Sequence, residues 1–414
     1  MSTTIPTYEA LALQLKRLGI ECVFGLMSDE TATLVASIDA AGLRFITARH
    51  ENNAVAMAEG YACRTGKLGV VLIGRGPATA NGLHGSVYAH KTGTPVLLMV
   101  GAGPQGPHDP NELGPDTKSL DTVGVLRAAG LPHMTAHDPA SATLVLTQAA
   151  AAAQRGLMSL ILPMDVLQGQ TPAAHLYAPA APRPPAKMPQ VREPAVAAAV
   201  EQLKRARRPL ILAGWGAHKA GAREALIQLA DHLGAALATT MKAKDLFRGH
   251  AFDCGVVGSF SHGAGRRLIE QADCVLSFGA GLNQRTTSRG TSLPSEAVLI
   301  QVDRSRKALG QWLHCDIGLL GDAKAVAEQL REALPPRTDK PLRSPELAAL
   351  LARQREQPEL DFEASHTPRT IDPRSVGVEL DRLLPQDRNM VYDAGNFLQC
   401  ATYIGVPGPA HIKQ

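Results

Sequence analysis

Aromatic side chains are scarce in this sequence, at 4% of 414 residues. Proteins that grip single-stranded nucleic acid do so largely by stacking bases on exposed rings, so that class of partner is not expected. The six cysteines, Cys22, Cys63, Cys254, Cys274, Cys315 and Cys400, include no Cys-x-x-Cys pair and no regular spacing. Neither a zinc cage nor a disulfide framework is suggested by that pattern, and free thiols suit a reducing compartment. The opening MSTTIPTYEA has neither the basic nor the apolar region of a secretory signal, and no apolar run approaches the roughly 20 residues needed to span a bilayer. The expectation is a cytoplasmic protein with no membrane and no nucleic-acid partner. The net charge of +4 is spread along the chain. Its clearest basic cluster, Lys204, Arg205, Arg207 and Arg208, falls at the end of a predicted helix, where cations complement the backbone dipole.

What is present is an ordinary globular composition, 45% hydrophobic and 19% charged, in a chain long enough for about three domains. Predicted strands alternate with predicted helices, which implies an α/β fold of doubly wound parallel sheets covered on both faces. Residues 1–170 form the first such domain. A Pro/Ala-rich stretch without periodicity, 171–190, reads as an extended linker, and 191–335 reads as a second, Rossmann-like domain. A charged, proline-punctuated connector over 336–372 leads to the start of a third α/β domain at 373–414.

The stretch that organises the rest is 43–83. An apolar strand over 43–47 runs into Arg49-His50-Glu51 and an Ala-rich helix ending near Gly66. A second buried strand over 69–73 then empties into Gly74-Arg75-Gly76-Pro77, with a helix starting near Thr79. Ligands of open α/β sheets sit beyond the carboxyl ends of the strands, so Glu51 would project into a cleft facing the glycine loop. An acid in the first turn of a helix is also favoured by the dipole alone. The glycines would let a backbone approach a ligand closely, but the loop lacks the Gly-Lys-Ser/Thr ending of a phosphate cradle. Asn81, His84 and His90 fall on the helix that follows, where polar residues are usually solvated or satisfied locally. The strand over 21–24 leads to Gly25-Leu26-Met27-Ser28-Asp29-Glu30, and Asp29 could cap the next helix. After the strand at 209–213, Gly214-Trp215-Gly216 continues to Gly221 with the wrong spacing for a dinucleotide fingerprint.

The run from His50-Glu51-Asn52-Asn53 through Glu59-Gly60-Tyr61-Ala62 to Thr65-Gly66, with the loop Gly74 to Asn81, resembles the N-terminal pyrimidine-binding domain of thiamine-diphosphate enzymes of the acetolactate synthase and 2-oxo acid decarboxylase superfamily. The resemblance makes 1–170 that domain, 191–335 the central domain and 373–414 an incomplete diphosphate-binding domain. It implies thiamine diphosphate as cofactor, with Glu51 holding the aminopyrimidine and Met27, Gly74, Gly76, Pro77 and Asn81 lining its site. Asp29 matches a catalytic acid of the pyruvate decarboxylase branch. Met27-Ser28 replaces the usual Pro-Gly pair. Lys118-Ser119-Leu120 replaces the Phe-Gln-Glu or His-His of relatives, a departure from standard acetolactate synthases and pyruvate decarboxylases. Asn283-Gln284 before Arg285 replaces an acidic pair where acetolactate synthases hold FAD, so the resemblance admits FAD without requiring it. The Gly-Asp-Gly motif that binds Mg2+ does not occur before Gln414; its ligands are expected beyond that residue, and the sequence is expected to be a fragment. The implied function is decarboxylation or carboligation of a small-molecule 2-oxo acid by a homodimer or homotetramer. The alternatives are a non-catalytic homologue and a flavin- or nicotinamide-binding protein using the central domain.

Overall fold

Five residues, Gly-Val-Val-Leu-Ile, show how the first sheet is built. All five are buried, and each large side chain removed from water contributes roughly 1.5–3 kcal/mol, so this segment can only be a central strand. The computed structural model describes residues 3–106, 116–178, 191, 193–354, 362–393, 395 and 398–413, and the chain divides into units 1–185 and 186–414.

In the first unit β1 (Thr4–Pro6), α1 (Thr7–Arg17), β2 (Cys22–Gly25), α2 (Ala32–Ala40), β3 (Arg44–Thr47), α3 (Glu51–Thr65), β4 (Gly69–Ile73), α4 (Pro77–Thr92), β5 (Val96–Ala102), α5 (Thr122–Ala128), β6 (His133–Thr135), α6 (Ala142–Ala153), β7 (Met158–Pro163), α7 (Met164–Leu167) and β8 (Gln170–Pro172) follow in order. Six strands form one parallel sheet in the order β3-β2-β4-β5-β7-β6. Its two faces are covered by separate apolar clusters. The chain winds outward from β2 to β3 in one direction and from β4 to β5 in the other. The β2/β4 boundary is therefore the switch point at which such sheets open a crevice.

The expected linker does not begin at 171. Residues 170–172 form β8, antiparallel to β1. The buried Gln14 amide then holds the Tyr177 backbone on both sides, accepting from its N–H at 2.8 Å and donating to its carbonyl at 2.9 Å. Residues 179–190 of the linker lie outside the described residues.

The second unit comprises α8 (Glu193–Arg205), β9 (Pro209–Ala213), α9 (Trp215–Lys219), α10 (Arg223–Leu233), β10 (Ala236–Thr239), β11 (Asp253–Val256), α11 (Gly263–Ile269), β12 (Cys274–Phe278), β13 (Val298–Asp303), β14 (Ile317–Leu320), α12 (Ala323–Ala333), α13 (Pro345–Arg353), α14 (Pro373–Leu383), β15 (Met390–Val391), α15 (Leu398–Ala401) and β16 (Ile412–Lys413). Its sheet is parallel in the order β11-β10-β9-β12-β13-β14. Much of the expected connector belongs to this core: Leu342 and Leu351 are buried in it, and Arg343 donates to the Ala235 carbonyl at 2.7 Å while lying over Phe252. Residues 355–361 of the connector, and Ala394, Asn396 and Phe397 of the third domain's opening, lie outside the described residues. No helix among the described residues is long and apolar enough to cross a membrane.

Candidate active site

Glu51 is the first residue of α3 and is 8% exposed. The helix begins there because His50 is its N-cap: the imidazole Nδ1 accepts from the Asn52 N–H at 3.1 Å. Asn81, in the second turn of α4, donates from Nδ2 to Glu51 Oε2 at 3.0 Å. Asn52 Oδ1 accepts from the Gly85 N–H at 2.7 Å, tying α3 to α4 beside that pair. A side chain at Gly82 would meet Ile73 Cδ1 at 3.0 Å, so glycine is what lets α4 lie this close to the sheet. No described residue donates to Glu51 Oε1. The carboxylate thus has one oxygen fixed by protein and one open. The other buried acid of α3, Glu59, accepts from the Thr94 hydroxyl at 2.9 Å and has a structural part.

The loop after β4 has another reason for its glycines than a ligand. Gly76 sits at φ +62°, and a Cβ there would lie 2.0 Å from the Lys118 carbonyl oxygen; one at Gly74 would lie 2.6 Å from Ser28 Oγ. The close approach is between three of the chain's own loops, those following β2, β4 and β5. Pro77 occupies the first helical position of α4, where its missing N–H costs nothing. Met27, on the β2 loop, is 61% exposed.

Between these loops lies a network that neither composition nor spacing revealed. Glu30, whose side chain is 2% exposed, accepts on Oε1 from Arg75 Nε at 2.9 Å and from Lys118 Nζ at 3.1 Å. Arg75 also reaches Asp116 at 2.5 Å, and Lys118 reaches Asp29 at 3.1 Å. Burial would raise the Glu30 pKa, but the nearby Ser28 hydroxyl, its own backbone amide, Lys118 and Arg75 together bring it down to about 2. Its Oε2 is buried and meets no donor in hydrogen-bond geometry. Asp29 is not a helix cap, because α2 starts from Thr31. The Thr31 hydroxyl is occupied in a local turn, accepting from the Ser28 N–H at 3.2 Å. Asp29 stands 95% exposed, with Lys118 as its partner. It shares no hydrogen bond with the Glu51–Asn81 pair.

In the second unit the equivalent crevice, between β9 and β12, is closed by backbone. The Gly214 N–H donates to the Phe278 carbonyl and the Gly216 N–H to the Gly279 carbonyl, both at 2.9 Å. A Cβ at Gly214 would lie 2.3 Å from Gly279 O. These glycines serve loop-on-loop packing, and neither they nor the family matches lend support to a flavin or nicotinamide in the central domain.

Two family models match the chain: the thiamine pyrophosphate enzyme N-terminal TPP binding domain over residues 6–121 and the thiamine pyrophosphate enzyme central domain over 196–330. The chain is a member of the thiamine pyrophosphate enzyme superfamily. Among its relatives is a probable 2-ketoarginine decarboxylase of Pseudomonas aeruginosa, 28% identical over 95% of this chain and 69% of the relative. A Mycobacterium bovis acetolactate synthase is 27% identical over 78% of this chain and 52% of its own length. A probable sulfoacetaldehyde acetyltransferase of Rhizobium meliloti is 27% identical over 94% and 68%. The chain therefore spans between about half and about two-thirds of the length of these relatives.

The residues present fit the pyrimidine end of the superfamily's cofactor. A buried carboxylate with one oxygen fixed by Asn81 and the other open offers an acceptor of defined direction to a protonated ring nitrogen. Among the described residues no group of His, Cys, Asp or Glu could hold a metal ion, so the diphosphate end finds no ligand set there.

Proposed function

We infer that this chain supplies the pyrimidine-binding and central parts of a thiamine-diphosphate-dependent enzyme that decarboxylates or carboligates a 2-oxo acid. The observation that carries the reading is the Glu51 carboxylate, buried at a helix start, aligned by Asn81 and open on one oxygen, in the segment matched by the N-terminal TPP-binding model. Relatives named as a decarboxylase, an acetolactate synthase and an acetyltransferase support the reaction class and leave the substrate to experiment.

Thiamine diphosphate, when bound, supplies an electron sink through which a 2-oxo acid can lose carbon dioxide. Glu51 would accept a hydrogen bond from the ring nitrogen of the aminopyrimidine and hold that proton in place. Asn81 would keep the carboxylate from turning away, and the Gly85 N–H bond to Asn52 Oδ1 fixes α3 against α4 next to it. Mg2+ and the diphosphate would be held by residues other than those described. We further infer a homodimer or homotetramer, the assembly implied by the family resemblance.

The test is calorimetric titration of the full-length protein with thiamine diphosphate and Mg2+, followed by carbon dioxide release from a panel of 2-oxo acids. Saturable binding with turnover of at least one acid is expected. No uptake of the cofactor overturns the reading.

A further inference from the structure

The second unit encloses a cavity of about 220 Å³ where β11 and the loops flanking it meet α13, α14 and residues 402–405. Sites for drug-sized ligands run to roughly 300–1,000 Å³, so a guest here is a small metabolite. One wall holds an arginine that nothing fixes. Among the described residues the Arg248 guanidinium makes no hydrogen bond, and its carboxylate neighbours, Asp245 and Asp381, each stand 3.9 Å away. It occupies the place a Cβ on Gly405 would take, so glycine at that position is what admits it.

The two carboxylates are each committed on one oxygen only. Asp245 Oδ2 accepts from the buried Lys244 Nζ at 2.6 Å and from the Val406 N–H at 2.7 Å. Asp381 Oδ1 accepts from Arg388 and from the Gly405 N–H, the latter at 2.8 Å. Among the described residues neither Asp245 Oδ1 nor Asp381 Oδ2 has a hydrogen bond. Asp245 is also held at φ +65°, a left-handed backbone uncommon for a residue with a side chain. His262, on the same cavity, is 7% exposed and its Nδ1 has no partner, a shortage that native folds seldom leave without a reason.

Charge decides the kind of guest. Lys244, Arg248 and, behind Asp381, Arg388 are matched by Asp245, Asp253 and Asp381, so a guest of either net charge would unbalance a buried set. A zwitterion brings both charges and no net one. We propose that this cavity binds a small α-amino acid, its carboxylate on the Arg248 guanidinium, its ammonium on Asp245 and Asp381, and its side chain against Val256, Leu351 and Val378. The proposal is independent of the reaction inferred above.

The experiment is calorimetric titration of the full-length protein with glycine, L-alanine and L-leucine, each set beside its two halves. For leucine these are 4-methylpentanoate, which lacks the ammonium, and 3-methylbutylamine, which lacks the carboxylate. Saturable binding of at least one amino acid is expected, with each half at least about tenfold weaker, the scale of a hydrogen bond to a charged group. Arg248→Met should weaken the amino acid at least about tenfold. Gly405→Ala, which displaces the guanidinium and keeps its charge, should weaken it too. Both variants should take up thiamine diphosphate as wild type does, which checks that they are folded. A half that binds as tightly as its amino acid, binding unaltered in Arg248→Met, or no saturable binding of any of the three amino acids overturns the proposal. Cofactor uptake, measured in the same samples, tests the functional reading separately.

Discussion

Replacing Glu30 by glutamine keeps its shape and removes its charge, and the structure sets the size and the pH signature of the loss. The folded carboxyl has a pKa of about 2 against an ordinary 4.5, a difference equivalent to roughly 3 kcal/mol. Its partners are partly solvated, with the Arg75 and Lys118 side chains 19% and 38% exposed, so we expect about 2 kcal/mol in practice. In a unit of this size that lowers Tm by roughly 4–8 °C. The folded pKa lies below the unfolded one. The contribution is therefore complete above pH 4.5 and drains away as pH falls towards 2. Thermal unfolding followed by circular dichroism, wild type against Glu30→Gln, should show the full gap at pH 7 and less than half of it at pH 3. A gap of the same size at both pH values, or none at pH 7, would refute the assignment of Glu30 as the ionic centre of the three loops.

Gly76→Ala should destabilise the first unit by about 2 kcal/mol or more, because φ +62° with ψ −115° is strained for any side chain and the added Cβ would collide with the Lys118 carbonyl. A urea midpoint within experimental error of wild type would count against the loop packing described. His262 is buried edge-on to Tyr403. Burial first, and Lys244 second, push its pKa down to about 4 from 6.5. The unfolded chain takes up the proton first, so stability falls as pH drops from 6.5 to 4, by roughly 3 kcal/mol. His262→Leu should flatten the urea midpoint across that range, and an unchanged slope would contradict the burial.

The parts of the fold legible in the sequence are those where local pattern and tertiary burial agree. The apolar run at 69–73 has no solvated face and is a central strand. Gly66 closes α3 in the left-handed conformation that only glycine adopts readily. Glu51 was legible as a helix-start acid in a familiar motif. The Glu30 network was not: Arg75 is 45 residues away from Glu30, and Lys118 is 88, and nothing local marks two cations as converging on one carboxylate oxygen. Asp29 offered the side chain of a helix cap, yet the turn closed by Thr31 moved the helix start beyond its reach. The stretch 171–177 looked like linker because it has no periodicity, and its order comes from a distant buried amide, Gln14. The glycines after β9 lacked dinucleotide spacing in the sequence, but that they and those after β12 serve the approach of one backbone to another could be seen only in the structure.

The measurement that bears most directly on the central claim is deuterium exchange of the cofactor's thiazolium proton, followed by quenched-flow NMR in the full-length protein with thiamine diphosphate bound. Wild type should accelerate the exchange, and Glu51→Gln should slow it by about 10²–10⁴-fold while cofactor still binds and the circular dichroism spectrum is retained. Exchange at the wild-type rate in Glu51→Gln would contradict the account.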